Sequence, residues 1–476
     1  MAIKVSHRSG REQYADIAAL TGLRENGALA ARIARSAVTI KGEMPNMDDI
    51  FEWLERCRGE TFMEVDRIPF RELDAWSFDG RSGNLAHISG QFFQVEGLHV
   101  SSGGMYSAEW YQPIMCQLEI GLLGILVREF GGVLHFLMQA KMEPGNPNLL
   151  QLSPTVQATR SNYTKVHRGK PVRYLDYFMR PGRGSVLSDV LQSEHGSWFY
   201  RKRNRNMIIE VADDVPAHDQ FRWLTLGQIG ELLREDNVVN MDTRSVLAGL
   251  PGRSAPRARC SDTDLLSWIA SMRCGNVVRA DRVPLAAALG WIRGTSAIEH
   301  EQGRYFRVVA VSVKAGNREV AQWKQPMFEP CGPGVVAFLT RDIEGVPHVL
   351  ARARLEAGFR DTVELSPTVQ CTPGNYAHLS AADRPAFLDL VSSPAPSRVQ
   401  YSALHSEEGG RFLNAVSRYS LIDTDESQAP LDPPDGFQWV SHGQLTALAQ
   451  HSHYVNVQAR TLLACLNMLT AAGAAV

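Results

Sequence analysis

Two long segments of this 476-residue chain repeat each other, and this duplication constrains the fold more than any other feature of the sequence. Residues 151–163 read QLSPTVQATRSNY and residues 364–376 read ELSPTVQCTPGNY, so nine of thirteen positions match at an offset of 213. Far from this motif, Trp76 pairs with Trp291 at an offset of 215. A register held over such distances indicates the tandem duplication of a whole domain.

The repeat divides the chain into four parts. We predict an N-terminal arm over residues 1–45, a first repeat over 46–250, a linker over 251–260 and a second repeat over 261–476. The linker reads PGRSAPRARC, and its Pro, Gly and Arg content is typical of a connection between domains.

Composition excludes several classes of protein. The formal net charge is only -2, which favours neither nucleic acid nor an anionic membrane as a partner. The start of the chain lacks the apolar segment of a secretory signal. The seven cysteines are an odd number without a CxxC pair, so we expect reduced thiols in a cytoplasmic protein.

Each repeat has the pattern of an α+β domain, in which helices flank a mixed or antiparallel sheet. The first repeat is expected to open with a helix, because Ile50, Phe51 and Leu54 recur at helical spacing behind a cap at Asn46 or Asp48. Strand-like and helix-like runs then alternate irregularly, so we do not predict a strict βαβ fold.

Three later elements of the first repeat can be predicted from local pattern. A helix is expected over residues 174–178, and a strand is expected near 198–200, where the aromatic residues WFY occur together. A closing helix is expected over 226–233.

Four long motifs resemble the NDP-4-keto-6-deoxyhexose 2,3-dehydratases. They are HFLMQAKMEPGNPNLLQLSPTVQATRSNYTKVHRGKPVRYLDYF from residue 135, IPFRELDAWSFD from 68, DVLQSEHGSWFYRKRNRN from 189 and WLTLGQ from 223. The resemblance implies a duplicated domain related to the Nudix hydrolases, a homodimer, and an elimination that needs no metal. It also implies a place in deoxysugar biosynthesis for glycosylated natural products such as antibiotics.

The Nudix relationship can be tested on the residues. A Nudix hydrolase needs a loop and helix whose clustered glutamates hold Mg²⁺. Neither repeat contains that glutamate-rich box. We therefore predict a shared fold without metal-dependent hydrolysis, because a fold does not determine a function.

The resemblance implies a thymidine-diphosphate 4-keto-6-deoxyhexose as the substrate. Its C4 ketone acidifies the C3 hydrogen, so the protein must supply a base at C3, donors to the C4 oxygen and an acid for the C2 hydroxyl. No redox cofactor is required, because the ketone is already present. A non-catalytic nucleotide-sugar-binding protein is the alternative hypothesis.

Three residues of the first repeat are candidates for this chemistry by residue type alone: Glu143, Lys141 and Tyr163. Glu143 recurs in the second repeat as Glu356, so a carboxylate that stabilises a turn is an alternative role.

The candidates for substrate binding are polar or aromatic residues of both repeats, most of them within the repeated motif. They are Trp76, Thr159, Arg160, Ser161, Asn162, Tyr163, Ser193, Arg203, Trp291, Asn375 and Tyr376. The repeated LSPTVQ can equally be a turn that the fold requires, and the basic residues 201–205 can be a solvated face or form salt bridges in a dimer.

Positions that differ between the repeats are candidates for specialised chemistry. The first repeat has Arg160 and Ser161 where the second has Pro373 and Gly374, and His195 aligns with Glu408. The resemblance implies two nucleotide-sugar pockets per subunit, of which one is catalytic.

Overall fold

The computed structural model describes residues 27–41, 45–104, 108–159, 172–180, 182–252, 258–316 and 320–471. The helices of these ranges are α1 (Gly27–Val38), α2 (Met47–Glu60), α3 (Leu175–Met179), α4 (Leu226–Leu232), α5 (Met241–Leu247), α6 (Asp262–Gly275), α7 (Leu388–Ser392), α8 (His442–Ala449) and α9 (Val457–Ala471). Short 3₁₀ turns occur at Phe70–Glu72, Leu285–Ala287, Pro373–Tyr376, Ala381–Asp383 and Pro396–Arg398.

The strands fall into two similar sets. The first half contains β1 (Met63–Ile68), β2 (Trp76–Phe78), β3 (Leu85–His87), β4 (Gln94–Gly103), β5 (Ala108–Cys116), β6 (Gly121–Phe130), β7 (Val133–Met142), β8 (Leu150–Ser153), β9 (Val156–Ala158), β10 (Ser185–Ser193), β11 (Arg203–Glu210) and β12 (Phe221–Leu224). The second half contains β13 (Val277–Val283), β14 (Trp291–Arg293), β15 (Ala297–His300), β16 (Phe306–Ala315), β17 (Gln322–Pro330), β18 (Gly334–Ile343), β19 (Val346–Leu355), β20 (Val363–Ser366), β21 (Val369–Cys371), β22 (Val399–Ser406), β23 (Val416–Asp423) and β24 (Phe437–Ser441).

Each half has one seven-stranded mixed sheet. In the first half the order is β10-β11-β6-β7-β12, with β8 beside β7 and β9 beside β6. Strands β11 and β6 run parallel, whereas the other neighbours are antiparallel. The second half repeats this order as β22-β23-β18-β19-β24, with β20 and β21 in the corresponding places. The expectation of mixed sheets in two similar α and β halves is confirmed.

The two five-stranded sheets exchange a strand between the halves. Strand β1 of the first half pairs antiparallel with β16 of the second half, from Met63 opposite Ala315 to Ile68 opposite Ala310. Strand β13 of the second half pairs in the same way with β4 of the first half. Each half therefore completes a sheet of the other half.

Helix α2 shows how local sequence sets an element. The Asn46 side chain accepts from the Asp49 backbone N–H, and the Asp49 side chain accepts from the Asn46 backbone N–H, which forms a capping box. Ile50, Trp53 and Leu54 are buried. Phe51 is 39% exposed, so its expected place on the apolar face is wrong. The reason is that one residue turns a helix by about 100°.

The centre of the molecule contains two buried arginines that bridge the halves. Arg244 of α5 donates from Nη2 to the Ser406 carbonyl at 2.6 Å, and Arg460 of α9 donates from Nη2 to the Ser193 carbonyl at 2.5 Å. Both side chains are fully buried in a core to which both halves contribute. Each arginine thus satisfies backbone carbonyls of the opposite half, as burial requires.

The expected strand over residues 198–200 is wrong. Phe199 makes only an isolated bridge to Met115, and this segment belongs to the loop between β10 and β11. Its aromatic residues favour a strand, but they pack instead against Phe306 and Phe412 of the second half. Within the described ranges, no helix combines the length and the apolar character needed to cross a bilayer.

Candidate active site

A cavity of about 1110 Å³ lies against the seven-stranded sheet of the first half. First-half strands β6, β7 and β9 contribute to its lining, as does Asn204 of β11. The second half contributes residues 322–325 at the start of β17 and part of the loop between β22 and β23, including Glu408 and Arg411. The cavity is therefore built by both halves of the chain.

Four buried or half-buried carboxyl groups line this cavity, in addition to the exposed Asp74. Glu143 follows β7, Glu194 follows β10, Asp242 lies in the first turn of α5, and Glu408 lies between β22 and β23. We call these residues the carboxyl cluster. Neighbouring carboxyl groups disfavour one another's ionised form.

Glu143 is joined to two donors. The Lys141 ammonium lies 3.1 Å from Glu143 Oε1, and Gln157 Nε2 donates to the same oxygen at 2.7 Å. Lys141 and Glu143 are two residues apart at the end of a strand, so their side chains leave the same face. Two of the three predicted catalytic candidates thus line the cavity as an ion pair.

Glu194 and Asp242 are almost completely buried. Burial raises the pKa of the Glu194 carboxyl, although the charges of Arg460, His195 and Lys202 oppose the rise. Its Oε1 accepts from Asn204 Nδ2 at 2.7 Å, whereas its Oε2 has no hydrogen-bond partner among the described residues.

Asp242 is in a more extreme environment. Burial raises its pKa well above the usual value, and the charges of Glu194, Glu143 and Glu408 raise it further. Its Oδ1 also has no hydrogen-bond partner within the described ranges. Burial and the neighbouring carboxylates therefore both favour the protonated form of Asp242.

Two further groups titrate close to neutral pH. Burial raises the pKa of Glu408 to about 7, with Arg411 opposing the rise and Glu143 and Glu194 adding to it. Burial lowers the pKa of Lys202 to about 8. Its ammonium donates to the Glu119 carbonyl at 2.5 Å. Groups with such pKa values can give and take protons under physiological conditions.

The aromatic candidates Trp76 and Trp291 have mirrored surroundings. Trp76 lines the cavity, donates from its indole nitrogen to the Lys324 carbonyl at 3.0 Å and packs at 4.7 Å from the Phe93 ring. Trp291 donates to the Tyr111 carbonyl at 2.8 Å, and it is not among the lining residues of this cavity.

The remaining candidates are distributed between the two halves. Thr159 lines the cavity, whereas Arg160, Ser161, Asn162 and Tyr163 lie outside the described residues. Arg203 is half-buried on β11 and is not among the lining residues.

Three of the substrate-binding candidates have contacts elsewhere. The Ser193 hydroxyl donates to Glu364 Oε2 at 2.6 Å, which joins the halves. Asn375 Oδ1 accepts from the Tyr305 backbone N–H at 3.0 Å, and Tyr376 is half-buried in the second half. Their predicted roles in substrate binding stay predictions.

The second half repeats part of this arrangement with different residues. Glu356 Oε1 accepts from Arg354 Nε at 2.7 Å and from Gln370 Nε2 at 3.1 Å, as Glu143 does from Lys141 and Gln157. At the position that corresponds to Glu408, His195 Nε2 lies 3.0 Å from Glu407 Oε2. Its Nδ1 lies 2.8 Å from Gln458 Nε2, at the position that corresponds to Asp242.

Sequence reasoning missed Glu194, Asp242, Glu408 and Arg411 as members of the candidate site, and it considered Lys202 only as part of the basic residues 201–205. One feature of the sequence pointed to Glu408. The first repeat has His195 where the second repeat has Glu408, so this aligned position differs between the repeats. Within the parts of the chain that the structure describes, no three His, Cys, Asp or Glu side chains are arranged to hold a metal ion.

Comparison with known proteins assigns the family. The family described as "NDP-hexose 2,3-dehydratase" matches residues 47–250 and again residues 262–466. The chain is 57% identical over 455 residues to the dTDP-4-dehydro-6-deoxy-alpha-D-glucopyranose 2,3-dehydratase of Amycolatopsis orientalis, covering 94% of this chain and 96% of the relative.

Two further relatives carry the same description. The Saccharopolyspora spinosa protein is 48% identical over 465 residues, covering 93% of this chain and 96% of the relative. The Streptomyces violaceoruber protein is 47% identical over 422 residues, covering 86% and 94%. Together with the double family match, these similarities confirm the resemblance of the motifs, and the chain belongs to the NDP-hexose 2,3-dehydratase family.

Proposed function

We propose that this protein removes water across C2 and C3 of dTDP-4-dehydro-6-deoxy-α-D-glucose, and that the reaction takes place in the cavity of the first half. The relatives named for this activity match the chain over 86–94% of its length. The observation that supports this location is the carboxyl cluster. Burial raises the pKa of Asp242 well above its usual value and raises the pKa of Glu408 to about 7.

The reaction is an elimination next to a ketone. Loss of the C3 proton gives an enolate whose charge lies on the C4 oxygen, and the C2 hydroxyl then leaves as water. The resulting enol tautomerises to a 3,4-diketo-2,6-dideoxy sugar. The step needs a proton acceptor, a proton donor and a cation or N–H group near the C4 oxygen.

Lys141 is suited to stabilise the enolate. Its ammonium lines the cavity and is held by Glu143, which is itself fixed by Gln157. A cation held in place before the reaction stabilises developing negative charge without reorganisation. Glu143 and Tyr163 remain candidates for proton transfer on the basis of the sequence, and Tyr163 lies outside the described residues.

The nucleotide needs flat surfaces and positive charge. Trp76, His87 and Phe92 line the same cavity and offer aromatic surfaces for the thymine or the sugar ring. Arg173 also lines it, beyond the undescribed segment that holds Arg160. We infer that these two arginines and Ser161 and Asn162 bind the diphosphate.

The finer organisation also belongs to this proposal. We infer that each half is a Nudix-like domain, with the arm at 1–45, the repeats at 46–250 and 261–476 and the linker at 251–260. We further infer a cytoplasmic homodimer that serves deoxysugar biosynthesis for an antibiotic or similar product. The family resemblance supports these inferences.

The test is incubation of the protein with dTDP-4-dehydro-6-deoxyglucose in D₂O. The expected product is a vicinal diketone that o-phenylenediamine traps as a quinoxaline, with solvent deuterium at C2. Binding without any loss of water would favour the nucleotide-sugar-binding hypothesis. Turnover that requires Mg²⁺ and cleaves the diphosphate would instead indicate a hydrolase.

A further inference from the structure

The loop between β22 and β23 carries Glu408 from the second half into the cavity of the first half. Its backbone is fixed to the turn after β7, because the Gly145 N–H donates to the Gly409 carbonyl at 2.7 Å. The Asn414 N–H donates in return to the Gly145 carbonyl at 2.8 Å. Glu408 is therefore held beside the turn that carries Glu143.

This contact depends on two glycines. A Cβ atom on Gly145 would lie 1.8 Å from the Phe412 carbonyl oxygen, and one on Gly409 would lie 2.2 Å from Asn146 Oδ1. Real Cβ atoms essentially never come so close to other heavy atoms. The close approach of the two backbones is thus a specific feature of this sequence.

The loop is also fixed to its own half. Gln325 Nε2 donates to the Gly410 carbonyl at 2.8 Å, and the Phe328 N–H donates to the Arg411 carbonyl at 2.9 Å. With contacts on both sides, the loop places Glu408 in a defined position. Such preorganisation is what a proton-transfer group needs.

The two oxygens of the Glu408 carboxyl differ in their contacts. Oε1 accepts from the Gly410 N–H at 3.0 Å, whereas Oε2 is buried and has no hydrogen-bond partner among the described residues. The charged groups that act on the carboxyl are Arg411 on its own loop and Glu143 and Glu194 from the first half. Glu408 in turn acts on Asp242 and Lys202 across the cavity.

We propose that Glu408, supplied by the second half, is the base that removes the C3 proton in the first-half cavity. The assignment rests on the proposed function and adds that the active site is composite. Glu143 is less suited to this task, because Lys141 and Gln157 both bond to its Oε1. The pKa of Glu408, about 7, lies near the pH at which a base works best.

The stereochemistry of the sugar allows one carboxyl to perform both proton transfers. In the gluco configuration the C3 hydrogen and the C2 hydroxyl lie on the same face of the ring. The Glu408 carboxylate takes the C3 proton, and the C–H electron pair forms the enolate. When the enolate collapses, the C2=C3 bond forms and the C2–O bond breaks. The departing hydroxide takes the proton back from Glu408 and leaves as water.

The corresponding position in the second half does not offer this chemistry. There His195 is held between Glu407 and Gln458 at 3.0 and 2.8 Å. Glu407 also accepts from the Tyr419 hydroxyl at 2.8 Å. The two halves thus exchange equivalent loops, but at the equivalent position one loop carries the carboxyl of Glu408 and the other carries the imidazole of His195.

The test compares wild-type protein with Glu408→Gln. We expect the variant to bind dTDP within about threefold of wild type by calorimetry. Its dehydration rate and its exchange of the C3 hydrogen with D₂O should both fall by about 10²–10⁴-fold, the usual contribution of a general base. A Glu408→Gln protein that exchanges this hydrogen at the wild-type rate would overturn the assignment.

Two further variants guard against a purely structural effect. His195→Gln changes the equivalent loop of the other half and should retain exchange within about threefold, whereas an equal loss would overturn the assignment. Glu408→Asp keeps the carboxylate but places it one methylene group further from the substrate, so kcat should fall with little change in KM. A raised KM with unchanged kcat would contradict a role in proton transfer.

The pH profile separates this inference from the proposed function. In wild type, kcat/KM should fall on the acid side of about pH 7, because Glu408 must be ionised. The residual kcat/KM of Glu408→Gln should not fall on the acid side of pH 7. If it falls as in wild type, the titrating group is not Glu408. A wild-type protein that binds the sugar without dehydrating it contradicts the proposed function, whereas an active Glu408→Gln contradicts only this inference.

Discussion

The indole nitrogen of Trp76 donates to the carbonyl oxygen of Lys324, 3.0 Å away in the other half of the chain. The mirrored contact joins Trp291 to Tyr111 at 2.8 Å. Together with the exchanged strands β1 and β13, these contacts interlock the halves. The duplication therefore produced a molecule in which each half supplies a strand that completes a sheet of the other half.

The interlocked halves should not fold separately. Residues 46–250 expressed alone would expose the edge of β4 that β13 covers, and an open edge promotes aggregation. We expect an aggregated or poorly ordered fragment by size-exclusion chromatography and circular dichroism. Co-expression with residues 251–476 should restore a soluble complex. A monomeric, cooperatively folding 46–250 fragment would contradict this expectation.

Lys141→Met should impair the chemical step more than binding. If the ammonium stabilises the enolate, its loss should lower kcat by about 10²–10³-fold, as for other oxyanion donors. Lys141→Arg should recover part of the activity, because Arg354 holds the equivalent place beside Glu356. Steady-state kinetics measure both effects. A Lys141→Met variant with wild-type kcat would exclude the role.

The buried pair of His195 and Glu407 should make stability depend on pH. Burial lowers the pKa of His195, but the charge and hydrogen bond of Glu407 outweigh burial and raise it above 6.5. The folded state therefore holds this proton more tightly than the unfolded chain. The stabilisation is complete below about pH 6.5 and is lost as the pH rises through the raised pKa.

His195→Gln isolates this contribution. The difference in Tm between wild type and the variant should be largest near pH 6 and should shrink towards pH 9, as differential scanning fluorimetry can show. Towards acid pH, the stabilisation by the pair is lost at the lowered pKa of Glu407, because protonation of this carboxylate also breaks the pair. A difference in Tm that is constant over this range would rule out a titrating pair.

Arg160→Ala tests the segment that follows β9. The sequence predicts that this residue binds the nucleotide sugar, since it stands in a dense polar run where the second repeat has Pro373. We expect weaker binding by calorimetry with an unchanged Tm. The matched change, Pro373→Ala, should leave binding in the first-half cavity unaltered. Unchanged affinity in Arg160→Ala would remove this residue from the site.

The local sequence pattern was sufficient to predict several secondary-structure elements. The cap at Asn46, the helix near residue 175 and the closing helix from Leu226 follow from short-range hydrogen bonds and spacing, and the structure contains all three. The strand expected at 198–200 is absent, because contacts with Phe412 and other second-half residues override local preference. Local preference is weak where tertiary contacts are strong.

The candidate site was only partly visible in the sequence. Lys141 and Glu143 were identified by residue type and do line the cavity together. Glu194 and Asp242 were missed, and Lys202 was seen only as part of a basic run, since the special property of all three is a burial that no short motif encodes. The difference between His195 and Glu408 was noticed as an asymmetry of the repeats, but its meaning depends on which half each loop enters.

The sequence by itself determined the duplication and the family, because these are encoded in long continuous motifs, and the family in turn supports the proposed chemistry. Only the tertiary structure decided that both halves of the chain line the cavity of the candidate site. Strand exchange brings a loop of the second half to the turn after β7, and burial then shifts the pKa values of Glu408, Asp242 and Lys202. Proximity and desolvation are properties of the folded chain, so residues far apart in the sequence acquire them only on folding.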